Sequence, residues 1–196
     1  MSTADWDDFD KLKDFPKIIK TERLVLRALH PDDAVALFNL VNAQRGHIGK
    51  YLDWPERVKT LEDEEKYVAA RMAAAAGKTG FDWVIETPAG KMIGYIGTDP
   101  VSKSLWMREK SDIDWENKTV SFAFFMDEAQ TGKGYMTEAL QALISVAAAL
   151  GFARAEIHTD PENAAAVAVA RKCGMRAGKP AGVFVVDLEK QAGVFR

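Results

Sequence analysis

Ala129-Gln-Thr-Gly-Lys-Gly-Tyr-Met-Thr-Glu138 is the stretch whose reading decides the fold. The apolar run Val120 to Met126 leads into it, and an amphipathic segment from Gly134 to Leu150 leaves it. Along that segment Met136, Ala139, Leu140, Leu143, Ile144, Ala147 and Leu150 recur at helical spacing and make one apolar stripe. The order is therefore strand, glycine turn, helix. Gly132 and Gly134 let the backbone turn sharply and present bare N–H groups, and a helix start adds about half a positive charge. Such a turn is a pocket for a phosphate or pyrophosphate, with Lys133 adding charge, or it is a plain strand-to-helix hinge; local features alone leave both open. Two other phosphate patterns do not fit. A Walker A loop needs Ser or Thr after its lysine, but Gly134 follows Lys133, and Asp127 stands where its first glycine belongs. A dinucleotide fingerprint needs three spaced glycines near the start of a parallel unit.

Before this stretch, Arg23 to Arg27 alternates as a strand, and Pro31-Asp-Asp opens a helix with Ala34, Leu37, Phe38 and Val41 on one face. Leu61 to Ala76 reads as a second helix ended by Gly77. Trp83 to Glu86 and Met92 to Gly97 read as strands joined by the turn Thr87-Pro-Ala-Gly90. A polar loop from Thr98 to Lys118 carries Trp106 and Trp115, and its length suggests a functional role. After the long helix come a strand at Ala155 to Thr159, a short helix capped by Asp160-Pro-Glu-Asn163 and running to Lys172 with Gly174 as its C-cap, and strands near Met175 to Ala177 and Val183 to Leu188. Hairpins followed by strand–helix alternation predict an α+β fold with a mixed sheet.

The 196 residues, 47% hydrophobic and 28% charged, are those of one globular domain. Residues 1–20 read as an acidic extension bearing Trp6, Phe9 and Phe15, and 21–196 as a single domain. A net charge of -3 argues against nucleic acid as a partner. The single Cys173 excludes an internal disulfide and reads as inert core; His30, His47 and His158 are too scattered to suggest a metal site. The N-terminus has no apolar signal region, and Ala142 to Leu150 is too short to span a bilayer, so a cytoplasmic protein without membrane attachment is expected.

Several segments together resemble the GNAT acetyltransferases, in particular the RimJ/RimL-like ribosomal-protein N-terminal acetyltransferases. They are Thr21-Glu-Arg-Leu-Val-Leu-Arg27 with Pro31-Asp-Asp-Ala34, Arg45-Gly-His47, Tyr51-Leu-Asp-Trp54, Asp114-Trp-Glu-Asn-Lys118, Gly132 to Ala139, and His158 to Asn163 through Arg171 to Met175. The resemblance implies a mixed, splayed sheet of six or seven strands with about four helices, and acetyl-CoA as acetyl donor to a primary amine. Its pyrophosphate would sit on the backbone of Thr131, Gly132, Lys133, Gly134, Tyr135 and Met136, and its pantetheine arm along Phe125, Met126 and Asp127. Asn163 matches the asparagine that contacts this arm, and is equally a helix N-cap. Arg45, His47 and Trp54 fall where the family binds its acceptor. No metal is implied, and the chain would act as a monomer or homodimer.

The chain departs from the pattern where acid–base chemistry is expected. Ser121 stands at the usual glutamate on the strand, and Ala166 and Ala170 stand where a Ser or Tyr often protonates the thiolate. Ser121 through water, Tyr135 and His158 are the remaining candidates by residue type. An α-amine, with pKa near 8, costs about 1.4 kcal/mol to deprotonate at pH 7, and a lysine about 4.6 kcal/mol. A site with a weak base thus favours an α-amine, the expected acceptor being a protein or peptide N-terminus. The alternatives are a small amine such as a polyamine, antibiotic or amino-acid-like molecule, and a catalytically weak acyl-CoA-binding module.

Overall fold

The computed structural model describes residues 14–52, 54–98 and 112–188. Trp6, Phe9, Asp53 and Trp106 lie outside the described residues. One mixed sheet runs β1-β2-β3-β4-β6-β7-β9-β8, with β5 paired to β6 off this path. Its strands are β1 (Ile18–Lys20), β2 (Val25–Ala28), β3 (Asp82–Glu86), β4 (Met92–Thr98), β5 (Ile113–Asp114), β6 (Thr119–Met126), β7 (Arg154–His158), β8 (Arg176–Ala177) and β9 (Val183–Asp187). The helices are α1 (Asp33–Ala43), the one-turn α2 (Arg45–Ile48), α3 (Leu61–Ala76), α4 (Tyr135–Ala149) and α5 (Ala164–Lys172). The expected mixed α+β architecture is present. The strand count exceeds six or seven because β1 and β5 are three and two residues long and leave no alternation to read.

The sheet also begins before residue 21. Ile18–Lys20 pairs antiparallel with β2, and Phe15 is buried against Phe81, Trp83 and Phe152. The first expected strand starts two residues late, at Val25, because Thr21 and Arg23 are drawn toward α4 by Glu138. The short helix starts at Ala164, since the Asn163 side chain accepts from the Ala166 N–H and caps it there.

Two apolar layers enclose the sheet. Leu140, Leu143 and Ala147 of α4 pack on Val120, Phe122, Ala155 and Ile157 of one face. Leu37 of α1 and Val68 of α3 pack on Val84 and Tyr95 of the other. Residues alternate across a strand, so Ser121, Phe125, Glu156 and His158 belong to the α1/α3 face. Thr60 and Asp63 form a reciprocal capping box that sets the start of α3.

Beneath α3 lies a buried polar network. The Arg71 Nε donates to Asp82 Oδ2 at 2.5 Å and its NH1 to Asp112 Oδ2 at 2.6 Å, while NH2 reaches the Thr98 carbonyl at 3.2 Å. Tyr95 donates to the other Asp82 oxygen and meets the Tyr67 hydroxyl at 2.8 Å. Gly97 has no side chain because Asp82 occupies the space: a Cβ there would stand 2.2 Å from Asp82 Oδ1. Burial raises the Asp82 and Asp112 carboxyls above their ordinary range, and Arg71 opposes it.

Candidate active site

The site forms where β6 and β7 part. Their parallel pairing runs from Thr119↔Arg154 to Phe122↔Ile157 and stops. Beyond it, Ala123–Met126 stays paired with β4 on one side only, from Gly97↔Ala123 to Gly94↔Met126. Among the described residues no strand covers the other flank, so an extended ligand can hydrogen-bond there as an added strand.

The glycine turn closes this slot. Asp127 accepts from the Ala129 N–H and caps a 3-10 turn, Glu128–Gln130. Gly132 and Gly134 then take the left-handed conformation, φ 75° and 82°, and α4 starts at Tyr135 with no side-chain cap. The first-turn N–H groups of α4 are thus left for a ligand. A Cβ on Gly132 would meet nothing within 4 Å, so the left-handed backbone is what calls for glycine there.

A brace holds the turn from behind. Glu138 accepts from Thr21 Oγ1 at 2.5 Å, from the Arg23 N–H at 2.9 Å and from Arg23 Nε at 2.7 Å. Arg23 NH1 donates to the Lys133 carbonyl at 3.0 Å, and the guanidinium lies 4.8 Å from the Tyr135 ring centroid. Burial pushes the Glu138 carboxyl up, but these bonds outweigh it and hold it below the ordinary range. Thr21, Arg23 and Glu138 were legible as motif residues, but not as one brace spanning the chain.

One cleft gathers most of the expected residues. Phe125, Met126, Thr131, Gly132, Gly134, Tyr135, Met136 and Asn163 line it, and His47 and Tyr51 face them. Tyr51 crosses the cleft to donate to the Glu162 carbonyl at 3.2 Å. Gln44 fixes the near wall by donating to Asp127 Oδ1 at 3.1 Å.

Other expected residues stand elsewhere. Lys133 donates to Gln130 Oε1 at 2.9 Å, and both it and Asp127 lie off the cleft wall. Arg45 donates to the carbonyls of Pro55 and, at 2.8 Å, Val58, so its guanidinium holds the following turn together instead of facing an acceptor. Trp54 acts one layer back, its ring centroid 5.5 Å from that of Phe125. Ser121 is fully buried, its Oγ has no hydrogen-bond partner, and it does not line the cleft. Cys173 is buried, and burial pushes its thiol up to about 12, so it is a poor nucleophile.

Sequence reasoning missed two carboxylates. Glu156 meets His158 Nε2 at 2.9 Å; the i, i+2 spacing on a strand was the available signal. Glu64 of α3 is 1% exposed and its Oε2 has no partner; nothing in a helical Glu-rich run marks which carboxylate turns inward.

The acetyltransferase (GNAT) domain family model matches residues 23–176. A curated relative, the ribosomal-protein-serine acetyltransferase of Escherichia coli (strain K12), is 26% identical over 125 residues, which is 63% of this chain and 62% of that relative's length. The solved structure of RimL, a ribosomal L7/L12 α-N-protein acetyltransferase in complex with coenzyme A, superposes with a TM-score of 0.75 at 23% identity, covering 87% of this chain and 97% of that one. Microcin C7 self-immunity acetyltransferase MccE, in complex with acetyl-CoA and AMP, gives 0.73 at 20% identity, covering 89% and 98%. At these identities the structural likeness speaks for the fold. The family match spans the sheet from before β2 to β8 and takes in the whole strand–turn–helix unit, and the chain belongs to the GNAT acetyltransferase family.

Proposed function

We propose that this chain transfers an acetyl group from acetyl-CoA to a primary amine, and that the amine is a protein or peptide N-terminal α-amine. One observation carries the reading: a single cleft joins a one-sided strand edge, the left-handed glycine turn and the uncapped start of α4. These residues fit acetyl-CoA. Thr131, Gly132, Gly134, Tyr135 and Met136 would hold its pyrophosphate, the Ala123–Met126 edge its pantetheine, and Asn163 the same arm while capping α5. Bound there, the donor supplies an activated acetyl group. A backbone N–H of the β6 edge would polarise the thioester carbonyl, and the amine would attack directly in a ternary complex, without an acyl-enzyme.

The acceptor side supports an α-amine. It is open at His47 and framed by Tyr51 and Phe125, with Trp54 behind. Positioning there lowers the barrier for whichever amine binds, and the α-amine then needs about 3 kcal/mol less than lysine to lose its proton at pH 7. The E. coli relative acts, by its description, on a ribosomal protein, which supports a protein acceptor in the cytoplasm.

The test is calorimetric titration of acetyl-CoA, repeated with Gly134→Asp, followed by acetylation of peptides with free N-termini and mapping of the modified nitrogen. Binding lost on substitution, with α-nitrogen acetylation, is the expected result. Exclusive lysine modification refutes the α-amine reading, and turnover of small amines alone replaces it with a small-molecule acceptor. Tight binding with no turnover on either panel leaves a binding module.

A further inference from the structure

An amine that attacks a thioester must first shed a proton, and the two strands flanking the slot show where it can go. This rests on the transfer reading above. On the α1/α3 face β6 presents Ser121, Ala123 and Phe125, and β7 presents Arg154, Glu156 and His158. The register sets Glu156 directly beside Ser121, and pairing ends at Phe122↔Ile157, one residue before His158. His158 therefore stands at the point of parting, on the same face as Phe125; Phe125 lines the cleft and His158 stands off its wall, so a bridging water would join it to the site.

Its ring is tethered from one side. Nε2 is 2.9 Å from Glu156 Oε2, and Arg154 Nε is 2.6 Å from the other oxygen, Oε1. The Glu156 side chain is 9% exposed and that of His158 31%, so the carboxylate is sheltered while the imidazole reaches outward. The His158 hydrogen bond, opposed by burial and aided by the Arg154 charge, holds the Glu156 carboxyl below its ordinary range. An ionised carboxylate only accepts, so Nε2 carries the hydrogen and Nδ1 keeps its lone pair.

We propose that His158, oriented by Glu156, is the proton acceptor for the incoming amine. The ammonium gives one proton, through the bridging water, to His158 Nδ1, and its freed lone pair forms the C–N bond at the thioester carbonyl. As the C–S bond breaks, the second proton leaving nitrogen goes to sulfur. His158 then returns its proton to water, so the products are amide, thiol and one released proton. Beside this pair the flanking strands bring a single charged residue, Asp187. β6 contributes none, and β9 places Val183 beside His158, Val185 beside Glu156 and Asp187 beside Arg154, with Asp187 paired to Arg176. Across the cleft, His47 Nδ1 is 3.8 Å from Glu128, and Lys50 lies over the Tyr51 ring.

The experiment is acetylation of a peptide with a free N-terminal serine, from pH 5.5 to 9.5, by the parent, His158→Gln and Glu156→Gln, with acetyl-CoA affinity measured by calorimetry for each. His158→Gln should lower kcat about tenfold at pH 7 and about a hundredfold at pH 6, following the neutral fraction of the α-amine, recover toward alkaline pH where the amine is already neutral, and keep its acetyl-CoA affinity. Glu156→Gln, which takes away the carboxylate that fixes the ring, should lower kcat and leave acetyl-CoA affinity unchanged. A His158→Gln enzyme with the parental rate and profile, or with an equal loss at every pH, overturns the proposal. Should His158→Gln lose acetyl-CoA binding, Glu156→Gln decides, and a parental kcat with parental acetyl-CoA affinity overturns it. A parent that binds acetyl-CoA and acetylates no amine overturns the transfer reading itself, and this proposal with it.

Discussion

Glu64→Gln tests whether the inner face of α3 carries an ionisable strain. Glu64 is 1% exposed, and its Oε2 makes no hydrogen bond. Burial alone pushes the carboxyl up to about 7, against 4.5 in the free side chain. An acid whose folded pKa is raised holds its proton longer in the native state. Its native form is therefore least penalised below pH 4.5, and stability falls as pH rises through the window from 4.5 to about 7. A shift of that size is about 3 kcal/mol by pH 8, at 1.36 kcal/mol per unit. Glutamine keeps the shape and never ionises. Urea unfolding of parent and variant from pH 5 to pH 8.5 should show the variant gaining about 1 kcal/mol at the acid end and about 3 kcal/mol at the alkaline end. All other titrating groups are common to the two proteins, so the difference isolates Glu64. Two parallel curves would refute the reasoning, because they would mean that the carboxyl ionises as it does in water.

Three further perturbations address the scaffold around the cleft. Arg71→Ala leaves Asp82 and Asp112 buried without their cation and should cost about 3–5 kcal/mol in urea unfolding; a loss under 1 kcal/mol would show that water replaces the guanidinium. Glu138→Ala releases Thr21 and Arg23 and loosens the glycine turn, so acetyl-CoA affinity should fall about tenfold, or about 1.4 kcal/mol by calorimetry. Unchanged affinity would mean that the turn holds its shape without the brace. Gly132→Ala meets no atom within 4 Å and changes only the backbone preference, so thermal unfolding should show a loss of about 1–2 kcal/mol.

What could be read in the sequence was local. The α4 stripe, the glycine turn and the Asn163 cap each sit within one or two helical turns of chain, and spacing alone announces them. The short strands β1 and β5 escaped because two or three residues carry no period, and their pairing comes from neighbours already in place. Site roles that depend on distant contacts were equally hidden. Arg45 sits in a motif that suggested acceptor binding, yet its guanidinium is spent on the carbonyls of Pro55 and Val58. Arg71 reads as one more charge on an exposed helix, but it is 2% exposed and joins Asp82, Thr98 and Asp112, which lie far apart in sequence.

That network also reaches the cleft. Tyr95, bonded to Asp82, stacks on Phe125 with ring centroids 5.6 Å apart and an interplanar angle of 18°, and Phe125 packs in turn on Trp54. The ring that lines the cleft is thus held from below by a buried ion pair and from the side by the turn that Arg45 fixes. A site that relies on positioning needs its walls to stay within a fraction of an ångström, and these two supports act on the wall facing the acceptor. Trp54→Ala separates support from contact: it removes a ring that touches Phe125 and lies behind the cleft wall. Its effect should appear as a fall in kcat for the peptide with acetyl-CoA affinity unchanged, since the glycine turn is held independently by Glu138. An equal loss in acetyl-CoA affinity would mean that the two walls of the cleft are not independently supported.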